Sequence, residues 1–187
     1  MKLKPLVVIV SGLALAACTT VNTEERTNAS RATVKHMATK MQGTMKAAMM
    51  SGGPIKAIDV CRVKAPKMAA MISKEKGWDI GRTSLKTRNP ANRPDAWELK
   101  VLQDFEKRKQ SGEDTTKMEH TEVVTEAGSK YFRYMKAIPT AAPCLTCHAS
   151  KIDNKLEARI NSLYPEDKAR GFNVGDIRGA FTIKQPL

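Results

Sequence analysis

The amino-acid sequence predicts an α+β domain, in which long N-terminal helices precede an antiparallel β-sheet. Helical spacing of apolar residues dominates up to residue 111, whereas β-branched and aromatic residues dominate from residue 121. The first two strand signals are separated by a short turn sequence, which favours antiparallel pairing. The chain has 187 residues, a one-domain length that can bury a core without disulfide staples.

Two long helices are predicted at the N-terminal end of this domain. The first runs from Glu24 to Ser51 and ends at Gly52-Gly53-Pro54. The second runs from Ile55 to Lys74, with a bend near Pro66. Four methionines share one face of the first helix: Met37, Met41, Met45 and Met49. Thioethers can bind copper(I), but a flexible apolar core face is the favoured interpretation of this stripe.

The remaining elements follow after a polar stretch, residues 77–94, that is punctuated by Gly and Pro. Asp95 is the predicted N-cap of a third helix that ends at residues 111–112. Residues 121–125 and 130–138 flank Glu126-Ala127-Gly128-Ser129 and predict a hairpin. A short helix, Asn154 to Leu163, and a final strand, Ile177 to Ile183, complete the predicted order of elements.

The first residues of the chain have the pattern of a secretory signal. Lys2 and Lys4 precede an apolar stretch, residues 6–17, which is shorter than the roughly 20 residues that span a bilayer. The stretch ends in Leu-Ala-Ala before Cys18, which resembles a bacterial lipobox with a lipidated cysteine. The predicted organisation is therefore a signal peptide (1–17), a short tether from Cys18 (18–23) and one domain (24–187). A plain signal peptide with an incidental cysteine is the alternative.

This organisation predicts a protein on the periplasmic side of the cell envelope, anchored by acyl chains on Cys18. Thr19 stands where an Asp would resemble an inner-membrane retention signal, which favours the outer membrane. The formal net charge is +13. Export excludes nucleic acid as the partner of this basic chain, which leaves a solvated surface or a docking face for an acidic redox partner.

Cys144-Leu145-Thr146-Cys147-His148 is the most specific motif in the chain. Two thiols separated by two residues in a helical turn can form thioethers with the two vinyl groups of one haem, and the following imidazole can bind its iron. The motif therefore predicts one covalent haem c, attached at Cys144 and Cys147 and ligated by His148. Haem of this type is attached outside the cytoplasm, in agreement with the signal segment.

Other uses of a Cys-x-x-Cys pair fit the chain less well. A thioredoxin-like dithiol needs a βαβ setting, whereas a hairpin precedes this motif. A zinc site needs about four ligands, and the other histidines, His36 and His120, are far apart in the sequence. A purely structural lipoprotein, in which Cys144 and Cys147 form a disulfide, remains as an alternative to a haem protein.

Cys61 is the one cysteine without an assigned role. An unpaired thiol in an exported protein is either buried as a small hydrophobe or ligated. As a thiolate, Cys61 could occupy the sixth coordination position of the iron, with Arg62 or Lys64 lowering its pKa. The competing sixth ligands are Met68, His36, His120 and the stripe from Met37 to Met49.

Several blocks of the chain together resemble small c-type haem domains of PAS-like fold, known as bacterial periplasmic or lipid-anchored proteins and as sensor modules. The resemblance spans residues 25–187 and rests on Ala57-Ile58-Asp59-Val60-Cys61, Trp78–Lys86, Arg88–Asn92, Trp97-Glu98, Phe132–Ile138, the haem motif, Tyr164-Pro165, Ala169–Gly171 and Gly175–Ala180. It implies a PAS-like antiparallel sheet. It also implies that Cys61 is the axial ligand opposite His148.

An iron with two protein ligands has no open position for a substrate, so we expect no enzyme activity. Arg82 and Arg88 are candidates to line the haem pocket or bind the propionates. The expected function is periplasmic electron transfer as a monohaem cytochrome. The alternative is a haem-based sensor of redox state or of CO and NO, in which Cys61 leaves the iron on reduction.

Overall fold

The computed structural model describes residues 21–187, so the predicted signal segment and Cys18 lie outside the described residues. Long N-terminal helical structure precedes a four-stranded antiparallel sheet, which confirms the predicted α+β class and is consistent with a PAS-like fold. Among residues 21–187, no helix is both long enough and apolar enough to cross a membrane.

Helix α1 covers Thr23–Lys76 and consists of two arms joined at a sharp kink. The backbone leaves helical geometry only at Gly52 and Gly53, where the predicted boundary lies. Pro54 begins the second arm, where its missing N–H costs nothing. The backbone keeps helical dihedral angles at Pro66, so the sharp change of direction expected from the sequence occurs at the glycines alone.

The kink folds the second arm of α1 back against the first. The Sγ atom of Cys61 lies 3.8 Å from the Sδ atom of Met45, although 16 residues separate them. Further along both arms, Met37 and Ile72 belong to one buried cluster. The methionine stripe therefore packs between the arms and against the sheet, which supports its interpretation as a core face.

The sheet has the strand order β1-β4-β3-β2, with every neighbouring pair antiparallel. Its strands are β1 (Asp79–Thr83), β2 (Glu119–Glu126), β3 (Ser129–Pro139) and β4 (Ile177–Pro186). The expectation of an irregular connection over residues 77–94 was wrong at β1. This short edge strand contains a glycine and is defined by pairing with β4, about 100 residues later in the chain.

The β2–β3 hairpin is closed by a two-residue loop, Ala127-Gly128, because Glu126 pairs with Ser129. Both loop residues have positive φ, 48° at Ala127 and 82° at Gly128. These angles are those of a type I′ turn, which matches the twist of the two strands. The predicted hairpin is confirmed at the predicted place.

Helices pack on both faces of the sheet. Phe132 and Tyr134 of β3 face α1, whereas the alternate residues Met135 and Ala137 face α2 (Ala96–Gln110). Asp95 caps α2 as predicted and forms a reciprocal capping box with Glu98. These two clusters pack helices against both faces of the sheet. The loops that follow β1 and precede β4 therefore adjoin well-packed strands.

Helix α4 (Asn154–Leu163) packs beside the Cys-x-x-Cys-His motif and has the predicted bounds. Its N-cap is Asp153, whose carboxylate accepts hydrogen bonds from the backbone N–H groups of Lys155 and Leu156. We expect Asp153→Ala to lower the free energy of unfolding by about 1 kcal/mol, because these two N–H groups lose their acceptor. Urea denaturation of the variant measures this loss.

Asp153→Asn is the matched control for that variant, since an amide oxygen also caps helices and the cost should stay within a few tenths of a kcal/mol. Equal destabilisation by Ala and Asn would contradict the capping argument. It would assign the effect to the lost negative charge at the helix N-terminus instead.

Candidate functional site

The Cys-x-x-Cys-His motif lies on two short helical segments that follow β3 directly. A 3₁₀ helix covers Ala142–Cys144 and α3 covers Leu145–His148. The thiols of Cys144 and Cys147 are free and half-buried. The helical backbone places both thiols and the imidazole within one to two turns. The motif thus has the helical conformation that the sequence-based prediction requires.

His148 is held in one tautomer. Its Nδ1 atom lies 2.8 Å from the carbonyl oxygen of Ala169, and because a carbonyl only accepts, Nδ1 donates and Nε2 keeps a lone pair. The Nε atom of Arg178 donates to this lone pair at 3.4 Å. Burial, with the nearby Arg178 and Arg88 cations, lowers the pKa of His148 to about 3. At pH 7 the ring is therefore neutral, as a metal ligand must be.

Arg88 holds the backbone of the motif through hydrogen bonds and an ion pair. Its buried guanidinium donates to the carbonyl oxygen of Cys147 at 2.6 Å and to that of Ala169 at 3.4 Å. It also forms a bidentate pair with Asp167, at 3.1 and 3.2 Å. The Asp167 side chain is only 3% exposed and accepts a further bond from Arg170 at 2.6 Å. Arg88 therefore lies at the predicted pocket, where it joins α3 to the loop that positions His148.

Cys61 lies on the second arm of α1, on the side that faces the motif. Ile58, one turn earlier, packs against α4 in a cluster that Cys147 and Tyr164 also contact. Burial raises the pKa of the Cys61 thiol, and the Arg82 cation opposes that shift. The fold thus brings a second sulfur donor from position 61 to the neighbourhood of the predicted haem attachment site.

The other sixth-ligand candidates have different surroundings. Met68 packs in the cluster of α1 and the sheet rather than in the one that includes Cys147. His36 is exposed on the first arm of α1. His120 lies on β2, with its ring 5.7 Å from that of Trp97. Of the methionine stripe, Met45 comes close to Cys61. Among these donors, the geometry favours Cys61, with Met45 as its neighbour.

Arg178 is a residue of the site that sequence reasoning did not single out. It lies at the start of β4, and its guanidinium contacts His148, the hydroxyl of Ser84 and the backbone carbonyl of Lys86. It belongs to the Gly175–Ala180 block of the sequence resemblance, which was the available signal. Arg82, at the site as predicted, is half-buried on β1, the strand that pairs with β4.

An apolar cleft of about 360 Å³ opens beside the motif. It separates the start of the second α1 arm from α3 and α4, and its lining residues are Pro54, Ile55, Leu145, Thr146, Lys151, Ile152, Asp153 and Leu156. Apart from Lys151 and Asp153, the lining carries no charge. Such a cleft suits an apolar group rather than a charged one.

Comparison with known proteins adds two findings to this geometry. A protein-family model described as Tll0287-like (Tll0287) matches residues 17–186. The chain is also similar to the crystal structure of the cyanobacterial heme-protein Tll0287, with 26% sequence identity and a TM-score of 0.69. The match covers 89% of this chain and 98% of the other. No curated protein sequence matches the chain.

Proposed function

This chain belongs to the Tll0287-like family, and we propose on that premise that it is a monohaem c-type cytochrome for electron transfer. One haem c is attached through Cys144 and Cys147 and ligated by His148. The protein acts on the periplasmic side of the cell envelope, anchored by lipid on Cys18, with the outer membrane as the favoured location. Its partner is a redox protein of the periplasm or membrane, and nucleic acid has no part.

The observation that carries this proposal is the hydrogen bonding of His148, which leaves its Nε2 atom able to bind a metal. The Ala169 carbonyl oxygen binds Nδ1–H, the ring is neutral and Nε2 keeps its lone pair. A hydrogen bond of this kind orients ligating histidines and raises their basicity. Two thiols on the adjoining helical segments, free to form thioethers, supply the points of covalent attachment. These residues fit a covalently attached haem.

Cys61 is the proposed second axial ligand. It lies on an arm of α1 that packs against α4 beside Cys147. Burial raises the pKa of its thiol, and the Arg82 cation only partly opposes that shift. When bound, the haem supplies an Fe(III)/Fe(II) couple. A thiolate stabilises the ferric form, so the midpoint potential should be low. With both axial positions taken by the chain, the proposed role is electron transfer rather than catalysis.

Haem-stained denaturing gels test the proposal directly. Mature protein made together with the haem-attachment machinery should keep its haem stain after denaturation, because thioether bonds survive. The double variant Cys144→Ala/Cys147→Ala should give an unstained band of equal intensity with protein stain. Mass spectrometry of the wild type should find an added mass of roughly 616 Da, whereas a disulfide would remove about 2 Da.

A colourless wild-type band with a Cys144–Cys147 disulfide would overturn the proposal in favour of a structural lipoprotein. A wild-type band that loses its stain on denaturation would indicate a non-covalent haem. In that case the family relationship stands and the cytochrome c chemistry does not.

A second candidate function is a haem-based redox or gas sensor. The observation that favours it is the placement of Cys61 on an arm that is separated from the first arm of α1 by the two non-helical glycines at 52 and 53. Burial favours the neutral thiol of Cys61, so reduction of the iron would favour its release and a shift of the arm. Binding of CO or NO to the reduced protein would support the sensor, whereas no binding and fast oxidation by a partner cytochrome would support the carrier.

A further inference from the structure

Cations outnumber carboxylates around the motif. The guanidinium groups of Arg88 and Arg178 contact Cys147 and His148 of the motif, and Arg82 lies on β1, the strand that pairs with β4. Asp167 is paired with Arg88 and Arg170. Within residues 21–187, neither Arg82 nor Arg178 forms an ion pair with a carboxylate.

A fully buried arginine elsewhere in the protein shows what a balanced site looks like. Arg133, whose side chain is 3% exposed, lies on the α2 face of the sheet and forms ion pairs with three carboxylates. Its partners are Asp95, Glu98 and Glu126. Burial of a cation without such partners costs several kcal/mol. Arg178 lacks such a partner within residues 21–187, since its side-chain hydrogen bonds there are to the ring of His148, the hydroxyl of Ser84 and the carbonyl oxygen of Lys86.

The backbone fixes Arg178 in this position. Gly179, the next residue, has a φ of 152°, and a Cβ atom there would lie 2.3 Å from the carbonyl oxygen of Thr83. The glycine therefore lets β4 approach the end of β1 closely enough for Arg178 to reach Ser84. The ring of Phe172 covers the guanidinium at 5.2 Å. The close approach of β4 to β1 therefore fixes the backbone of Arg178 beside the motif, and Phe172 packs against its guanidinium.

We propose that Arg178 and Arg82 bind the two propionate carboxylates of the haem, with Arg178 as the principal anchor. This inference rests on the proposed function. Haem carries two propionates, and the site offers two arginines without carboxylate partners. A guanidinium forms a planar fork that pairs with a carboxylate through two parallel hydrogen bonds. Arg88, which is already paired with Asp167 and bonded to two backbone carbonyls, holds the motif instead.

The Nε atom of Arg178 contacts the atom of His148 that would bind the iron. The bound haem must therefore meet this side chain, and the side chain must turn aside to make room. Its remaining contacts are to a hydroxyl and a carbonyl oxygen, which are weaker partners than a carboxylate. Exchange of these contacts for a propionate would relieve the unbalanced charge.

Infrared redox-difference spectra of the haem-loaded protein test this assignment. Haem made from 5-aminolevulinate with a labelled carboxyl carbon carries the label on its propionates, which separates their bands from protein carboxylates. Arg178→Gln should shift the labelled bands, because the propionate loses its cation. It should also lower the ratio of reduced to oxidised protein about tenfold at a fixed potential, equivalent to about 59 mV. Arg178→Lys should restore part of both effects.

Arg93→Gln is the matched control, since Arg93 is an exposed arginine paired with Glu166. Identical labelled bands and potentials in Arg178→Gln and Arg93→Gln would overturn the propionate assignment while leaving the cytochrome proposal intact. Loss of haem from the wild type itself would instead overturn the proposed function. If Arg178→Gln accumulates without haem, Arg178→Lys decides: labelled bands and a potential identical to those of the wild type would assign the residue to folding alone.

Discussion

Replacement of Cys61 by serine is expected to leave the haem covalently attached and to abolish its thiolate character. Cys144 and Cys147, the proposed attachment residues, lie on other elements than Cys61, so the denatured variant should stain as the wild type does. The oxidised iron should lose the absorption and paramagnetic-resonance signature of a thiolate ligand. The midpoint potential should rise, on the order of 0.1 V or more, because axial ligation sets haem potentials over about 0.8 V. Redox titration measures the rise.

Two variants separate ligation by Cys61 from general disturbance of the helix arms. Met68→Leu changes a side chain on the same arm that packs towards the sheet, and its spectra should match the wild type. Met45→Leu removes the sulfur that lies 3.8 Å from Sγ of Cys61, and the thiolate signature should persist. An unchanged spectrum in Cys61→Ser would contradict Cys61 as the ligand. Loss of the thiolate signature in Met45→Leu would contradict it as well.

The elements that sequence reasoning located well are those defined by local signals. Asp95 predicts the start of α2, and Glu126-Ala127-Gly128-Ser129 predicts the turn of the hairpin. The kink of α1 lies at the two glycines that the sequence marks as a stop. In each case the residues that determine the structure are neighbours in the chain, so their chemistry can be recognised without knowledge of the fold.

The strand β1 lacks such a local signal. Its sequence, Asp-Ile-Gly-Arg-Thr, has one apolar residue, Ile80, whose side chain is buried against α1. Pairing with β4 supplies the hydrogen bonds that make it a strand. A short edge strand of this composition depends on pairing with a distant part of the chain. The local sequence pattern therefore does not predict it.

The same distinction applies to the candidate site. The motif Cys144–His148 is contiguous and could be recognised as one unit. The roles of Asp167 and Arg178 arise only because residues 88, 148, 167 and 178 meet in space. A lone arginine or aspartate in a sequence indicates a solvated surface, and only the buried ion pair and the unbalanced charge distinguish these two.

Asp167→Asn is expected to destabilise the haem-loaded protein by about 3–5 kcal/mol at pH 7. The carboxylate is 3% exposed and the guanidinium of Arg88 is 8% exposed, so the variant leaves a buried cation without its counter-ion. An asparagine also replaces one acceptor oxygen by a donor that faces the guanidinium donors. Urea denaturation, followed by circular dichroism, measures the loss.

Glu166→Gln, one residue earlier, is the control for this variant. Glu166 and Arg93 form a pair whose side chains are 60% and 61% exposed, and solvent-exposed pairs contribute about 0–1 kcal/mol. A similar small loss in Asp167→Asn would contradict the assignment of Arg88 and Asp167 as the clamp of the motif. A large loss in both variants would indicate that the loop, rather than the buried pair, is responsible.

The pH dependence of the difference in stability between the wild type and Asp167→Asn gives a second measurement. Burial raises the pKa of Asp167, but the hydrogen bonds from Arg88 and Arg170 outweigh burial, so the folded-state pKa lies below the usual value. A carboxyl group with a lowered folded-state pKa stabilises the fold fully above the unfolded value, about 3.9, and progressively less as pH falls towards the folded value. The wild type should therefore lose its advantage over Asp167→Asn only below about pH 4. Since the same carboxylate orients Arg88 towards the backbone of Cys147, acid that protonates it should also loosen the segment that carries the Cys-x-x-Cys-His motif.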